Sequence, residues 1–186
     1  MTDASSTAPS TLRLRPATDA DWPLLRHWLR LPEIVAWWGP TASTEAELIV
    51  ALGSGHAICR IVEVDGTPVG YAHAVDTALW GADLPADLAP GTWEIDLFIA
   101  SPAHRGTGVG PVVLQRMKDE VFATTLAVAC CVFASIANER AVRAYEKAGF
   151  HWRRVVNDPV AGPEWFMIAE RDTGAASPAS GQGRLF

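Results

Sequence analysis

Thr92-Trp-Glu-Ile-Asp-Leu-Phe-Ile-Ala100 passes without a break into Ser101-Pro-Ala-His-Arg-Gly-Thr-Gly-Val-Gly110. The first half is a short run of apolar, aromatic and β-branched residues, the composition of a buried strand. Asp96 stands in the middle of it, where a carboxylate is costly to desolvate unless it is paired or used. The second half opens on Ser-Pro and places Gly106, Gly108 and Gly110 ahead of a helical pattern that runs to Phe122. Glycines at a strand-to-helix turn let the backbone approach a phosphate closely, and the free N–H groups of the helix start bind its charge. The pattern Arg105-x-x-Gly108-x-Gly110 is not the dinucleotide fingerprint, and no Gly-Lys-Ser/Thr follows to make it a Walker loop.

Downstream, Val128 to Phe133 is predicted to be an apolar strand and Asn138 to Ala148 a helix stopped by Gly149. His151 to Asn157 and Glu164 to Glu170 then make a closing hairpin around Asn157-Asp-Pro159. Upstream, His56 to Val64 and Thr67 to Val75 are strands joined through Asp65-Gly66, a strong hairpin signal. Thr77 to Gly91 is a loop. Leu12 to Pro16 alternates as a first strand, and Asp19 to Leu31 follows as a helix with Thr18 at its N-cap. Ile34-Val-Ala-Trp-Trp-Gly-Pro40 is expected as an aromatic loop, and Thr44 to Leu52 as a second helix opened by a capping box. Trp22, Trp28, Trp152 and Trp165 fall in regular elements and are expected in the core. The class is α+β. Residues 11–172 form one domain, with 1–10 and 173–186 expected to be a disordered leader and tail.

Composition narrows what such a domain can do. The 186 residues are 49% hydrophobic and 19% charged, enough for one sizeable core but tight for two. No apolar run approaches the ~20 residues that cross a bilayer, and the N-terminus lacks the basic and apolar regions of a signal peptide. Cys59, Cys130 and Cys131 are odd in number, which points to a reduced, cytoplasmic protein without a disulfide framework. The five histidines are scattered without ligand spacing, so no metal is expected. A net charge of −6 disfavours nucleic acid and anionic membranes. Between Val62 and His104 there is no Lys or Arg, while Glu63, Asp65, Asp76, Asp83, Asp87, Glu94 and Asp96 all lie there. One-signed regions concentrate ligands of the other sign, so a cationic small molecule is the expected partner.

Arg105-x-x-Gly108-x-Gly110, followed by Asn138-Glu-Arg-Ala-Val-Arg-Ala-Tyr-Glu-Lys-Ala-Gly-Phe150, resembles the GNAT superfamily of acetyl-CoA-dependent N-acetyltransferases. The resemblance implies a central, mostly antiparallel twisted sheet of six to seven strands flanked by helices, its fourth and fifth strands splayed apart. It also implies that backbone amides of Arg105, Gly106, Gly108 and Gly110 hold the pyrophosphate of acetyl-CoA. Phe98 and Ala100 would offer backbone groups to pantetheine, and Asn138 would lie beside the cofactor. Tyr145 matches the tyrosine that protonates the leaving thiolate.

Trp37-Trp38-Gly39 after the first helix, with Ile95-Asp96-Leu97-Phe98 on the fourth strand, is similar to one branch, the aminoglycoside 6'-N-acetyltransferases. This likeness covers about residues 12–170. It implies that Asp96 is the base or amine anchor, that Trp37 or Trp38 flanks the sugar rings, and that Asp83 is an acidic contact. Phe133 departs from the pattern, because relatives often carry an acid there. The expected reaction is direct attack of the amine on the thioester in a ternary complex, by a monomer or weak homodimer. Two other readings stay open. The acceptor could be a polyamine, a siderophore lysine or a protein N-terminus, or the domain could be a CoA-binding regulatory module without turnover.

Overall fold

The two-residue turn at Asp65-Gly66 takes positive φ at both positions, 50° and 77°, which matches the twist of the strands it joins. It pairs β2 (Ala57–Val64) with β3 (Thr67–Asp76), and β1 (Leu12–Pro16) adds to the free side of β2. This computed structural model describes residues 11–79, 88–158 and 162–172, so the expectations for residues 1–10, Asp83, Asp87 and 173–186 lie outside it. Among the described residues the remaining strands are β4 (Thr92–Ile99), β5 (Ala129–Ser135), β6 (His151–Asp158) and β7 (Gly162–Glu170). The helices are α1 (Trp22–Trp28), α2 (Pro32–Trp38), α3 (Thr41–Gly53), α4 (Val109–Thr124) and α5 (Glu139–Lys147). None of the helices is long and apolar enough to cross a membrane.

The strands form one sheet in the order β1-β2-β3-β4-β5-β7-β6. Every pairing is antiparallel except β4 with β5, which are parallel and matched only at Thr92↔Ala129, Trp93↔Cys130 and Glu94↔Cys131. Past Glu94 the two part: β4 continues beside β3 to Ile99, and β5 beside β7 to Ser135. The splay therefore opens one residue before Asp96.

Both faces of the sheet are covered, which is why β4 is largely apolar apart from Glu94 and Asp96. On one face Val113, Leu114, Met117 and Val121 of α4 and Val142 and Tyr145 of α5 pack on Ile95, Val132 and Met167. On the other, Leu25 and Trp28 of α1, Ile34 of α2 and Leu48 of α3 pack on Ile61, Tyr71 and Phe98. Strand alternation sends Trp93 and Ile95 to the first face and Phe98 to the second, and Asp96 goes with Phe98.

Four sequence expectations are corrected. The helix expected over Asp19–Leu31 is a 3-10 turn at Asp19–Asp21 followed by α1, which ends at Trp28. Leu31 is extended (ψ 129°), as the residue before a proline prefers. The aromatic loop is instead helix α2, begun by Pro32 at its first position, where a fixed φ suits a helix, and ended before Gly39. α3 begins at Thr41, and Thr44 is not its cap: the Thr44 hydroxyl donates to the carbonyl of Trp38 at 2.8 Å, tying α3 to the end of α2. Finally, Trp152 is not core. It stands 42% exposed on edge strand β6, edge-on to Trp165, with its indole N–H donated to Glu146.

Candidate active site

The splay opens a cleft bounded by β4, the glycine turn, α5, β5 and β7, with α2 at its rim. Of the seven acids in the stretch without cations, Glu94 and Asp96 line it. Glu63 is instead paired with Arg15 at 2.8 Å, Asp65 caps the Thr11 amide and Asp76 caps the Ala78 amide. Among the described residues the local excess of acid is thus partly structural, and Glu94 and Asp96 are left where the sheet opens.

The glycine turn is built as an anion cradle. Gly106 and Gly108 sit at φ 77° and 93°, values that a side chain disfavours, and Gly108 is the N-cap of α4. No side chain caps this end, so the amides of Val109 and Gly110 point out of the helix with no side-chain acceptor, while Pro111 has none to offer. Free N–H groups at the positive end of a helix are the donor set a pyrophosphate needs, so these residues fit the diphosphate of acetyl-CoA. The Arg105 side chain has another task. Its guanidinium donates to Ile99 O at 2.7 Å and Ala100 O at 2.5 Å and pairs with Glu33 at 2.9 Å, clamping the turn to the end of β4. The cation over the turn comes from α5: a Cβ added at Gly106 would lie 3.5 Å from Arg140 Nη2. Sequence reasoning missed Arg140, although it lies inside the quoted α5 motif.

The backbone expectation at Ala100 is corrected. Its N–H donates to Val69 O at 2.8 Å and its carbonyl accepts from Arg105, so neither is open to pantetheine. Ladder alternation then turns the Phe98 amide towards β3 as well. The edge of β4 that faces the splay belongs to Leu97 and Ile99, which line the cleft beside Phe98.

Asp96 lies on this edge with its side chain about one-third exposed. Its cross-strand partner on β3 is His73, whose Nε2 is 3.5 Å from Asp96 Oδ2. Glu47 of α3 also lines the cleft, and burial, followed by the charge of Asp96, pushes its carboxyl up. Tyr145 is buried on α5 and lines the same space. Burial, then the charges of Asp96, Glu94 and Glu164, pushes its phenol far up, so it keeps a proton that it can donate. Asn138 caps α5 by accepting from the Ala141 amide at 3.2 Å, and it lines the cleft.

The two tryptophans of α2 divide. Trp38 is wedged edge-on between Phe98 (4.9 Å between ring centroids) and His73 (5.8 Å). Trp37 lines the cleft but is 52% exposed, an aromatic face with no ring packed on it among the described residues. On the opposite bank Phe133 stacks on Phe166 at 5.2 Å and 16°. The carboxylate absent from position 133 has a neighbour: Glu164 of β7 stands across from Ser135, on the face that carries Phe133 and Phe166. Burial, then the charges of Asp158 and Asp96, pushes its carboxyl up to about 7. Among the described residues no group of His, Cys, Asp and Glu is arranged to hold a metal ion.

Comparison with known proteins agrees with this geometry. Residues 17–157 match the family described as "Acetyltransferase (GNAT) domain". The chain is 31% identical over 170 residues to "Aminoglycoside N(6')-acetyltransferase type 1" of Klebsiella pneumoniae, spanning 87% of this chain and 84% of that one. The same figures hold for the protein of that name from Serratia marcescens. Among solved structures, aminoglycoside acetyltransferase AAC(6')-Ib in complex with coenzyme A superposes with a TM-score of 0.76 at 30% identity, over 87% of this chain and 95% of that one. The same enzyme with coenzyme A and kanamycin superposes with a TM-score of 0.76 at 29% identity, again over 87% and 95%.

Proposed function

Because the chain belongs to the GNAT family of acetyltransferases, we propose that it moves the acetyl group of acetyl-CoA to the 6'-amine of an aminoglycoside. The observation that carries this reading is the position of Asp96. It stands two residues past the last β4–β5 pair, Glu94↔Cys131, where the two strands have parted and Glu94 and Asp96 both line the cleft.

Val109, Gly110 and Arg140 bind the diphosphate, and the Leu97–Ile99 edge takes the pantetheine arm as an added strand would be taken. The cosubstrate supplies an acetyl thioester. Asp96 receives a proton from the acceptor ammonium, which frees the nitrogen lone pair to form the C–N bond while the C–S bond breaks. A β4 amide facing the splay polarises the thioester carbonyl. Tyr145, held protonated by its burial, gives its proton to the departing sulfur and is reprotonated by the second N–H proton that the nitrogen sheds as the amide forms. Transfer is direct. Cys59, Cys130 and Cys131 are buried, and burial pushes Cys130 up to about 12 and Cys131 well above its ordinary value, so none is a ready nucleophile.

An aminoglycoside carries several ammonium groups on saturated rings whose C–H faces can lie against an aromatic ring, and the cleft offers both counterparts. Trp37 gives a ring face at the rim, and the Phe133–Phe166 stack gives another. Glu47 and Glu164 supply carboxylates on either side of Asp96. Three unbridged cysteines suit action in the cytoplasm, as a monomer or weak homodimer. The test is thiol release from acetyl-CoA with kanamycin, tobramycin, gentamicin and spermidine, the product mapped by NMR, in wild type and Asp96→Ala. Acetylation of the kanamycin 6'-amine that is lost in the variant supports the reading. Strong turnover of spermidine alone replaces the acceptor, and cofactor binding without any turnover overturns the enzyme reading.

A further inference from the structure

His73 has a buried ring, 4% exposed, in the middle of the sheet at the floor of the cleft. Two aromatic rings pack against it, Trp38 edge-on at 5.8 Å and Tyr71 at 5.6 Å, and its register partners are Cys59 on β2 and Asp96 on β4. Nε2 faces Asp96 Oδ2 at 3.5 Å, while Nδ1 is buried with no hydrogen-bond partner. A neutral imidazole has one N–H and one lone pair. With the proton on Nδ1, a donor would be buried unmet and the Nε2 lone pair would face carboxylate lone pairs. With the proton on Nε2, the orphan is only an acceptor and the N–H points at an anion. The second tautomer is the cheaper by both counts.

We propose that His73 is a positioning residue for the acetyl transfer, donating from Nε2 to one oxygen of Asp96 so that the carboxylate is held in place with its other oxygen turned to the acceptor amine. The proposal rests on the reading above that Asp96 takes the amine proton. The 3.5 Å separation is long for a hydrogen bond, and such contacts commonly shorten in the ternary complex. The other titratable groups around the pair are Cys59, Tyr71, Glu47 and Glu94, with Tyr145 and Glu164 across the cleft.

The test compares His73→Phe, which keeps a ring and removes the donor, with His73→Gln, whose amide nitrogen reaches the place of Nε2. Loss of a hydrogen bond to a charged group should lower kcat for kanamycin by about 10-fold or more in His73→Phe, with KM for acetyl-CoA unchanged. His73→Gln should retain most of the activity. Equal impairment of the two variants overturns the proposal. A readout without turnover separates this failure from that of the proposed reaction. The 15N spectrum of the His73 ring, assigned against His73→Gln, should show the proton on Nε2 and the lone pair on Nδ1. A proton on Nδ1 refutes the role of His73 even if no aminoglycoside is a substrate.

Discussion

Glutamine at position 164 keeps the shape of the glutamate and removes its charge, and the exchange should make the protein more stable and a poorer binder at once. Burial and like charges raise the Glu164 carboxyl from 4.5 to about 7 in the folded chain. The unfolded chain ionises near 4.5, so a cost to folding begins there, grows through pH 7 and is constant above it. The whole shift corresponds to about 3 kcal/mol. Because the side chain keeps some contact with water, about half of that, ~1.5 kcal/mol, is the expected cost at pH 8, against less than ~0.5 kcal/mol at pH 5. For a domain of this size Glu164→Gln should therefore raise Tm by about 3–6 °C at pH 8 and by about 1 °C at pH 5, measured by calorimetry. The same titration governs the acceptor. With a carboxyl near 7, about one-tenth of the wild type is ionised at this position at pH 6 and about nine-tenths at pH 8. Affinity for kanamycin should rise ~10-fold over that range beyond any rise seen in Glu164→Gln. A Tm at pH 8 that is unchanged or lower, or an equal rise at pH 5, refutes the argument.

Trp37→Ala, at an exposed ring, should leave Tm within about 2 °C and raise KM for kanamycin roughly 3- to 10-fold. Trp38→Ala, which vacates the space between Phe98 and His73, should cost about 3 kcal/mol in urea denaturation. Tyr145→Phe should lower kcat about 10- to 100-fold without changing acetyl-CoA binding, and wild-type kcat should show no fall from tyrosine ionisation up to pH 9. Iodoacetamide on the folded protein at pH 8 should leave activity intact and all three cysteines unmodified by mass spectrometry, because burial holds them as thiols.

Much of the site was legible because its signals are local. Asp96 announces itself as an acid within an apolar strand, and the glycine turn and the α5 motif each declare their element within a dozen residues or so. α2 was hidden because a helix of 7 residues is too short to show a period, and its punctuation, Pro32 and Gly39, was outweighed by an aromatic-rich interior. Glu164, Glu47 and His73 could not be found that way, since each reaches the cleft through pairing or packing across the chain. Glu164 acquires meaning only when β7 is laid against β5 and Ser135 is found opposite it. The order of pairing carries that information, and a linear reading of alternation does not. The strand signal did fix which face Asp96 shares with Phe98, but hydrogen-bond direction along the same strand ran opposite to the expectation at Ala100.

The short parallel match between β4 and β5 has a consequence for how the molecule holds together. Strands β1 to β4 and strands β5 to β7 are each laced by long antiparallel ladders, while only three register pairs join the two sets. In its backbone pairing the sheet is accordingly two leaves on a narrow spine, bridged by α4, which runs from one leaf to the other and packs on both. In amide exchange the two leaves should open with separate free energies. A bound pantetheine arm, laid along the free edge of β4, would lengthen the spine and merge them into one unit, so the cosubstrate serves as mortar before it serves as reagent.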